Sequence, residues 1–570
     1  MQTALDHLID WTQQWGLQVS TTKTYYQIFT KKRLVHLPTL TIHNTPIQHV
    51  REHKYLGMHL DSPSLTWTAH IQHLKQTTQP RLAILKALTG TTWGAHHKIL
   101  LRFYTTYIRS QIDYCCQAYA SAAPTNLQSL EVIQNNAMRL ICGAMRSTPI
   151  LGLYGETGLT SLATRRDIMC ANYLSLCTTA HQTHPYRSKI NPTVNPHNPR
   201  FPTNHSQPFL TRATNNLNID LSLLQNSETQ LTVPPIPPWL YTTPNTTIQL
   251  EDNIPKSAPN SAIASVFLST MKNCYPNTTA IYTDGSRIIK NNVPSVTSAV
   301  WIPEYHLKQG WRLPNQLSVF TAELYALYQA LQIITTLPVG TYTICSDSKS
   351  AIQAITYSSK TCKEFVYPCL QLLHEHRLNG YDTSIQWVPA HCGILHNELV
   401  DQLAKAMHNT PHITRHPIPH VARKGAFKNT ITQDFATKWK TSCSPLYYGS
   451  IKKKWETWKH VRYKSREIDI AMTRLRLGHT KLAAHSSKYR TDINELCIHC
   501  QVPETIEHYL LHCFRHYSAR VNFKQELISL KIPFTIEHIL GGGDHSLQEK
   551  YQIVKALAKY LQSTNKLGHI

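Results

Sequence analysis

The chain has 570 residues, with 57 Lys and Arg against 33 Asp and Glu, a formal charge of +24 and a pI near 9.4. The length suits about three to four domains, and the charge favours a polyanionic partner, of which nucleic acid is the commonest. No apolar run is long enough to span a bilayer, mean hydropathy is −0.31, and Met1-Gln-Thr-Ala-Leu-Asp-His lacks the basic-then-apolar plan of a secretory leader; no membrane partner is expected, and the chain reads as intracellular, in cytoplasm or nucleus.

Residues 1–170 read as mainly helical. Leu74, Leu82, Leu85 and Leu88 recur near helical spacing, as do Ile99, Leu100, Phe103, Tyr107 and Ile108. Residues 171–270 are rich in Pro, Thr and Asn, with Pro192, Pro196, Pro199 and Pro202 and then Pro234-Pro-Ile-Pro-Pro238. Proline removes a donor and breaks helices, so this segment reads as a linker.

Residues 271–410 alternate strands and helices. Candidate strands are 279–284, 298–302, 309–313, 341–346 and 384–389, and candidate helices start near 320, 348, 361 and 397. Asn397 suits an N-cap, with Leu399, Leu403 and Ala404 facing inward. The expected fold is α/β, a mixed five-stranded sheet flanked by helices. Between 275 and 408 nine basic residues cancel nine acidic ones, so the excess positive charge lies in the flanks.

Four acids stand out in the 271–410 segment. Asp284 ends the run Thr279-Ala-Ile-Tyr-Thr-Asp and Asp347 follows Thr341-Tyr-Thr-Ile-Cys-Ser. Glu323 opens an apolar helical pattern, and Asp401 lies one turn into the last helix. Converging carboxylates repel one another and rarely gather without cations. A carboxylate-held Mg2+ pair about 3.5–4 Å apart is a standard device for phosphodiester cleavage.

Residues 411–490 form a basic, helical region. Its run Ile451-Lys-Lys-Lys-Trp-Glu-Thr-Trp-Lys-His-Val-Arg-Tyr-Lys sets Trp455, Trp458 and Tyr463 among cations. Such aromatics stack on bases or serve as the core face of an amphipathic helix, and both readings stay open. Residues 491–570 carry Cys497, Cys500, His508 and Cys513 in the spacing C-x2-C-x7-H-x4-C, before a C-terminal helix. Thiolates with an imidazole suit one tetrahedral Zn2+, with His499 and His512 as rival ligands; the alternative is reduced cysteines in a helical hairpin. The 14 cysteines are scattered over the long chain and read as reduced thiols. Nothing in the sequence sets an oligomeric state.

The motifs Tyr282-Thr-Asp-Gly-Ser286, Thr321-Ala-Glu-Leu324, Ser346-Asp-Ser348, Trp387-Val-Pro-Ala-His-Cys-Gly-Ile394 and Asn397-Glu-Leu-Val-Asp401 follow one another in an order that resembles ribonuclease H type 1 of non-LTR retrotransposons. The resemblance implies hydrolysis of the RNA strand of RNA–DNA hybrids with two Mg2+ ions. It implies Asp284, Glu323, Asp347 and Asp401 as their ligands, with His391 assisting proton transfer or product release. Gly285, Ser286 and Asn397, beside the carboxylates, are the expected substrate contacts. The family's loop often carries Gly where Ala390 stands.

The flanks resemble the same retroelement proteins. Trp11-Thr-Gln-Gln-Trp-Gly-Leu-Gln-Val-Ser-Thr-Thr-Lys-Thr and Lys54-Tyr-Leu-Gly57 resemble the region after a reverse transcriptase's catalytic centre and its thumb. The chain contains no Asp-Asp dipeptide, so polymerase activity is not expected of it. Arg474-Leu-Arg-Leu-Gly-His-Thr480 and the cysteine cluster resemble the CCHC end of such proteins, which implies a zinc knuckle that binds or positions nucleic acid. The rival reading is a non-catalytic nucleic-acid-binding remnant that uses its basic flanks and its knuckle.

Overall fold

The computed structural model describes residues 1–30, 36–179, 245–247, 258–290, 293–357, 365–416, 418–458 and 462–570, with the isolated residues 209, 223 and 237. Most of the proline-rich 171–270 segment, including the first proline cluster and all of the second but Pro237, lies outside the described residues. The chain divides into two compact units: Met1–Cys170, Asn195–Leu217 and Thr430–Ile570 form one, Ala171–Val194 and Asn218–Asn429 the other.

In the second unit the elements are β1 (Asn245–Thr247), α1 (Asn260–Cys274), β2 (Thr279–Lys290), β3 (Val293–Ile302), β4 (Leu307–Leu313), α2 (Val319–Ile334), β5 (Thr341–Ser346), α3 (Lys349–Tyr357), α4 (Val366–Leu378), β6 (Asp382–Trp387) and α5 (Leu395–Ala406). The sheet order is β4-β3-β2-β5-β6-β1. Antiparallel pairing joins β4, β3 and β2, and parallel pairing joins β2, β5, β6 and β1. The five expected strands are present in a mixed sheet. Asn245–Thr247, from the segment read as linker, adds a sixth at the edge.

Three local expectations are corrected. The strand carrying Asp284 does not end there: β2 continues to Lys290 because Gly285-Ser286 stays paired with Thr297-Ser298 of β3. The last helix begins at Leu395 behind Ile394, so Asn397 is its third residue and not its cap. The helix expected near 361 begins at Val366, and residues 358–364 lie outside the described residues.

The helix positions follow from capping and burial. The Ser318 hydroxyl accepts the Thr321 N–H at 3.0 Å and starts α2. Helix α2 is apolar around much of its girth because it packs on β2, β3 and β5 and also against α3 and α4. A second apolar cluster joins Phe267 of α1 to Tyr282, Trp301 and Cys345 of the sheet and to Val400 and Ala404 of α5.

In the first unit, short two-stranded pairings between residues 25 and 61 precede the helices Thr68–Ala87, Pro124–Cys142 and Ile150–Thr157. The stripe read at 99–108 is shifted. A π-turn over Tyr104–Ile108 turns Leu100, Tyr104 and Ile108 inward and leaves Ile99 and Tyr107 exposed. The helix Arg466–Leu477 and the C-terminal helix Leu547–Ser563 pack in a cluster with Ile451, Tyr509 and Phe523. No helix covers Trp455, Trp458 and Tyr463. The helix Tyr447–Ile451 stops at Lys452, and the three rings are partly buried against the unit's apolar clusters. The core reading of these aromatics therefore holds without the helix.

Candidate active site and metal centre

The carboxylates meet at the carboxyl ends of the parallel strands, where open α/β sheets hold their ligands. Thr283 pairs with Ser346, the last residue of β5, so beyond that point β2 is paired only with β3. Asp284 comes next on β2, and Asp347 follows immediately after β5. Glu323 arrives from the first turns of α2. Gly285 allows that approach: a Cβ there would lie 2.6 Å from the backbone nitrogen of Glu323. Only glycine lets the helix backbone come so close to the strand.

Asp284, Glu323 and Asp347 each offer an oxygen, and the three oxygens lie within 4.8 Å of one another. Asp284 and Glu323 are each 7% exposed. Asp284 Oδ2 and Glu323 Oε2 are buried with no hydrogen-bond partner. Burial, then the charges of Asp347 and Asp401, push the Asp284 carboxyl up to about 7. Glu323 is held well above the ordinary range by burial and then by Asp284 and Asp347. Asp347 is raised by burial, against which the neighbouring His391 charge and an Asn397 hydrogen bond act. Buried oxygens without donors, in a set of hard ligands, fit divalent cations such as Mg2+.

The remaining expected residues divide. Asp401, on α5, is outside that trio: its Oδ2 accepts from Lys405 Nζ at 2.6 Å, one turn along. Its charge still acts on Asp284, Glu323 and Asp347. His391 is exposed on the loop after β6 with φ of 54°, and its carbonyl accepts from Asn260 at 3.3 Å. Asn397 is buried with its Oδ1 unpaired. Ser286 is tied up: its Oγ lies 3.1 Å from His408 Nε2, and His408 Nδ1 reaches Ser295 Oγ at 2.9 Å. Sequence reading missed three neighbours. His408 links β2, β3 and the end of α5; the Trp387 indole N–H donates to the Asp347 carbonyl at 3.1 Å; Lys405 holds Asp401. Only Lys405 had a signal, its i+4 spacing from an acid on a helix.

In the first unit, Cys497, Cys500, His508 and Cys513 bring one ligand atom each within 4.8 Å of the others. Cys513 Sγ lies 3.9 Å from both Cys497 Sγ and Cys500 Sγ. Thiolates at about 2.3 Å from a tetrahedral ion stand about 3.8 Å apart, so the spacing fits zinc. The Phe514 N–H donates to Cys500 Sγ at 3.3 Å. His508 is buried with Nε2 unpaired. Of the rivals, His499 Nε2 lies 2.9 Å from Arg515 Nη1, and the His512 side chain is 64% exposed, 3.9 Å from Glu507.

Residues 276–409 match the RNase H family and form an RNase H domain. The chain is 30% identical over 148 residues to "RNA-directed DNA polymerase from mobile element jockey" of Drosophila funebris, and 25% identical over 144 residues to the protein of that description from Drosophila melanogaster. Each match covers 25% of this chain and 16% of the relative, so the matched stretch spans about a sixth of those relatives' length. The solved "Structure of the foamy viral protease-reverse transcriptase in complex with dsDNA" matches at 20% identity over 23% of this chain and 95% of that one, with a TM-score of 0.20, a likeness too slight to bear on the fold.

Proposed function

We propose that the RNase H domain hydrolyses the RNA strand of RNA–DNA hybrids, with Mg2+, as part of a retrotransposon protein. The observation that carries this reading is the trio Asp284, Glu323 and Asp347, each with an oxygen within 4.8 Å of the others, in a site where Asp284 Oδ2 and Glu323 Oε2 are buried without a donor. Asp284, Glu323, Asp347 and Asp401 would hold two Mg2+ ions, which when bound lower the pKa of water and neutralise charge on a phosphoryl group. Gly285 keeps α2 close enough for Glu323 to join the site, and Trp387 steadies the Asp347 backbone. His391, exposed and near enough for its charge to act on Asp347, would assist proton transfer or product release. Recognition of the RNA strand would rest on its 2′-hydroxyls, with Gly285 and Asn397 as the proposed contacts. The net charge of +24 supports flanks that hold nucleic acid around a neutral catalytic unit. The Cys497, Cys500, His508 and Cys513 cluster would hold one structural Zn2+. No disulfide joins cysteines among the described residues, which suits a reducing, intracellular compartment.

The test is cleavage of a labelled RNA–DNA hybrid in Mg2+ by the full chain and by Asp284→Asn. We expect cleavage by the parent and loss of it in the variant. Equal turnover by both overturns the assignment. Hybrid binding without cleavage by the parent returns the chain to the reading of a nucleic-acid-binding remnant.

A further inference from the structure

The fourth carboxylate differs from the other three in its partner. Asp401 and Lys405 lie one turn apart on α5, and Lys405 Nζ donates to Asp401 Oδ2 at 2.6 Å. Asp284, Glu323 and Asp347 converge without Asp401. Asp401 is nonetheless near enough for its charge to act on all three, and the Lys405 charge acts on Asp284. The lysine side chain is 55% exposed, and its methylene stem makes the pair movable. An exposed i,i+4 ion pair is weak, so a divalent ion with twice the charge can displace the ammonium.

We propose that Lys405 is a latch on Asp401: its ammonium holds the carboxylate apart from the Asp284, Glu323 and Asp347 trio until a second divalent cation displaces it, so Lys405 sets the cation concentration the site requires. The inference rests on the reading of these carboxylates as Mg2+ ligands. The latch makes the two cation sites unequal. The trio is assembled in advance and fills first; the site that needs Asp401 fills second, and only by breaking the ion pair. Lys405 is a positioning residue here and acts through Asp401.

The experiment is calorimetric titration of the full chain with Mg2+ alone, for the parent, Lys405→Gln, Asp401→Asn and the double variant. Lys405 is exposed, so its replacement leaves the fold intact. In Lys405→Gln the weaker Mg2+ site should tighten roughly two- to fivefold, the scale of an exposed ion pair. The tighter site should barely move, and the cleavage rate should saturate at lower Mg2+. In the Asp401→Asn background, Lys405→Gln should change nothing. A parent that takes up no Mg2+ overturns the carboxylate reading together with the latch. A parent that binds two ions while Lys405→Gln titrates identically overturns the latch alone. Tightening that persists in the Asp401→Asn background also overturns it, because the lysine then acts as a general repulsive charge. So does an unchanged Mg2+ titration joined to weakened hybrid binding, which would make Lys405 a phosphate contact.

Discussion

Arg476 donates from Nε and Nη2 to the two carboxylate oxygens of Glu156, 320 residues earlier in the chain, at 2.9 and 3.0 Å. Arg462 adds bonds of 2.7 Å to the carboxylate and 2.8 Å to the Glu156 carbonyl. The Trp458 indole and the Tyr448 hydroxyl donate to the same carboxylate at 2.9 and 3.1 Å. Burial pushes Glu156 up, but Arg476 and then Arg462 more than offset it and leave the carboxyl at about 2. Glu156→Gln leaves the buried Arg476 guanidinium without its counter-charge, while Arg462 keeps Asp469 at 3.5 Å, and should cost about 3 kcal/mol. Because the folded value is depressed, the stabilisation is present above the ordinary carboxylate range and lost as pH falls from about 4.5 towards 2. Urea unfolding of both proteins at pH 7 and pH 3 checks this: the deficit of the variant should be large at pH 7 and smaller at pH 3.

The packing of the RNase H domain extends earlier in the chain than its motifs suggest. Phe267 of α1 is fully buried among Tyr282, Trp301 and Val400, and Asn245–Thr247 pairs with β6. Phe267→Ala should destabilise the RNase H unit by about 3–5 kcal/mol, the usual cost of emptying a buried aromatic site. A fragment that starts at residue 275 should melt well below one that starts at 240. Equal midpoints in thermal unfolding would show that α1 is dispensable.

What is legible in the sequence divides along the range of the interactions. The runs 279–284 and 341–346 are apolar and β-branched, and their strands can be read locally. So can the positions of Asp347, next to a strand end, and Glu323, near a helix start, whereas Asp284 lies within a strand that runs on to Lys290. Asn397 has the right chemistry for a cap, yet Ile394 starts the helix and Asn397 turns inward, because Asp347 from another strand lies beside it. Gly285-Ser286 looks like a turn, but pairing with β3 carries the strand through it. Trp458 reads as a base-stacking platform or one face of a helix, and neither reading could anticipate a carboxylate partner 302 residues away. Asn245–Thr247 is too short and too polar to show periodicity, and it is a strand only because β6 has a free edge.

Asp284 makes the cation-free domain sensitive to pH. Its folded value, about 7, is above its ordinary one, so its contribution to stability is fully present below pH 4 and is lost as pH rises through 7. Without divalent cations, Asp284→Asn should therefore raise the melting midpoint at pH 8 by a few degrees, given that about 1 kcal/mol moves a domain of this size by roughly 4 °C. The gain should fade at pH 5, and Mg2+ at pH 8 should stabilise the parent more than the variant. Mg2+ uptake by the parent should also strengthen from pH 6 to pH 8 as the carboxyls lose their protons. Differential scanning calorimetry with and without Mg2+ checks each part, and a variant less stable than the parent at pH 8 without metal would contradict the repulsion among these carboxylates.

The choice of zinc histidine follows from burial. His508 is buried with Nε2 unpaired and offers a ligand atom within 4.8 Å of the three thiols. His512 is exposed beside Glu507, and His499 faces Arg515. The purified chain should carry one Zn2+ per molecule by atomic emission. His512→Ala and His499→Ala should keep it, and His508→Ala should lose most of it to a chelator that the parent withstands. Chelation should loosen the tail, because Tyr509 follows His508 directly and its ring packs with Tyr560 and Phe523 in the apolar cluster, its hydroxyl bonded to Thr564 at 2.7 Å. Near-ultraviolet circular dichroism, sensitive to those tyrosines, should fall on chelation. Hybrid cleavage should survive it, since the carboxylate site prefers hard cations and holds no thiol. Full zinc retention in His508→Ala with loss in His512→Ala would reassign the ligand. No zinc in any of the four proteins at micromolar metal would make these cysteines ordinary thiols of the core.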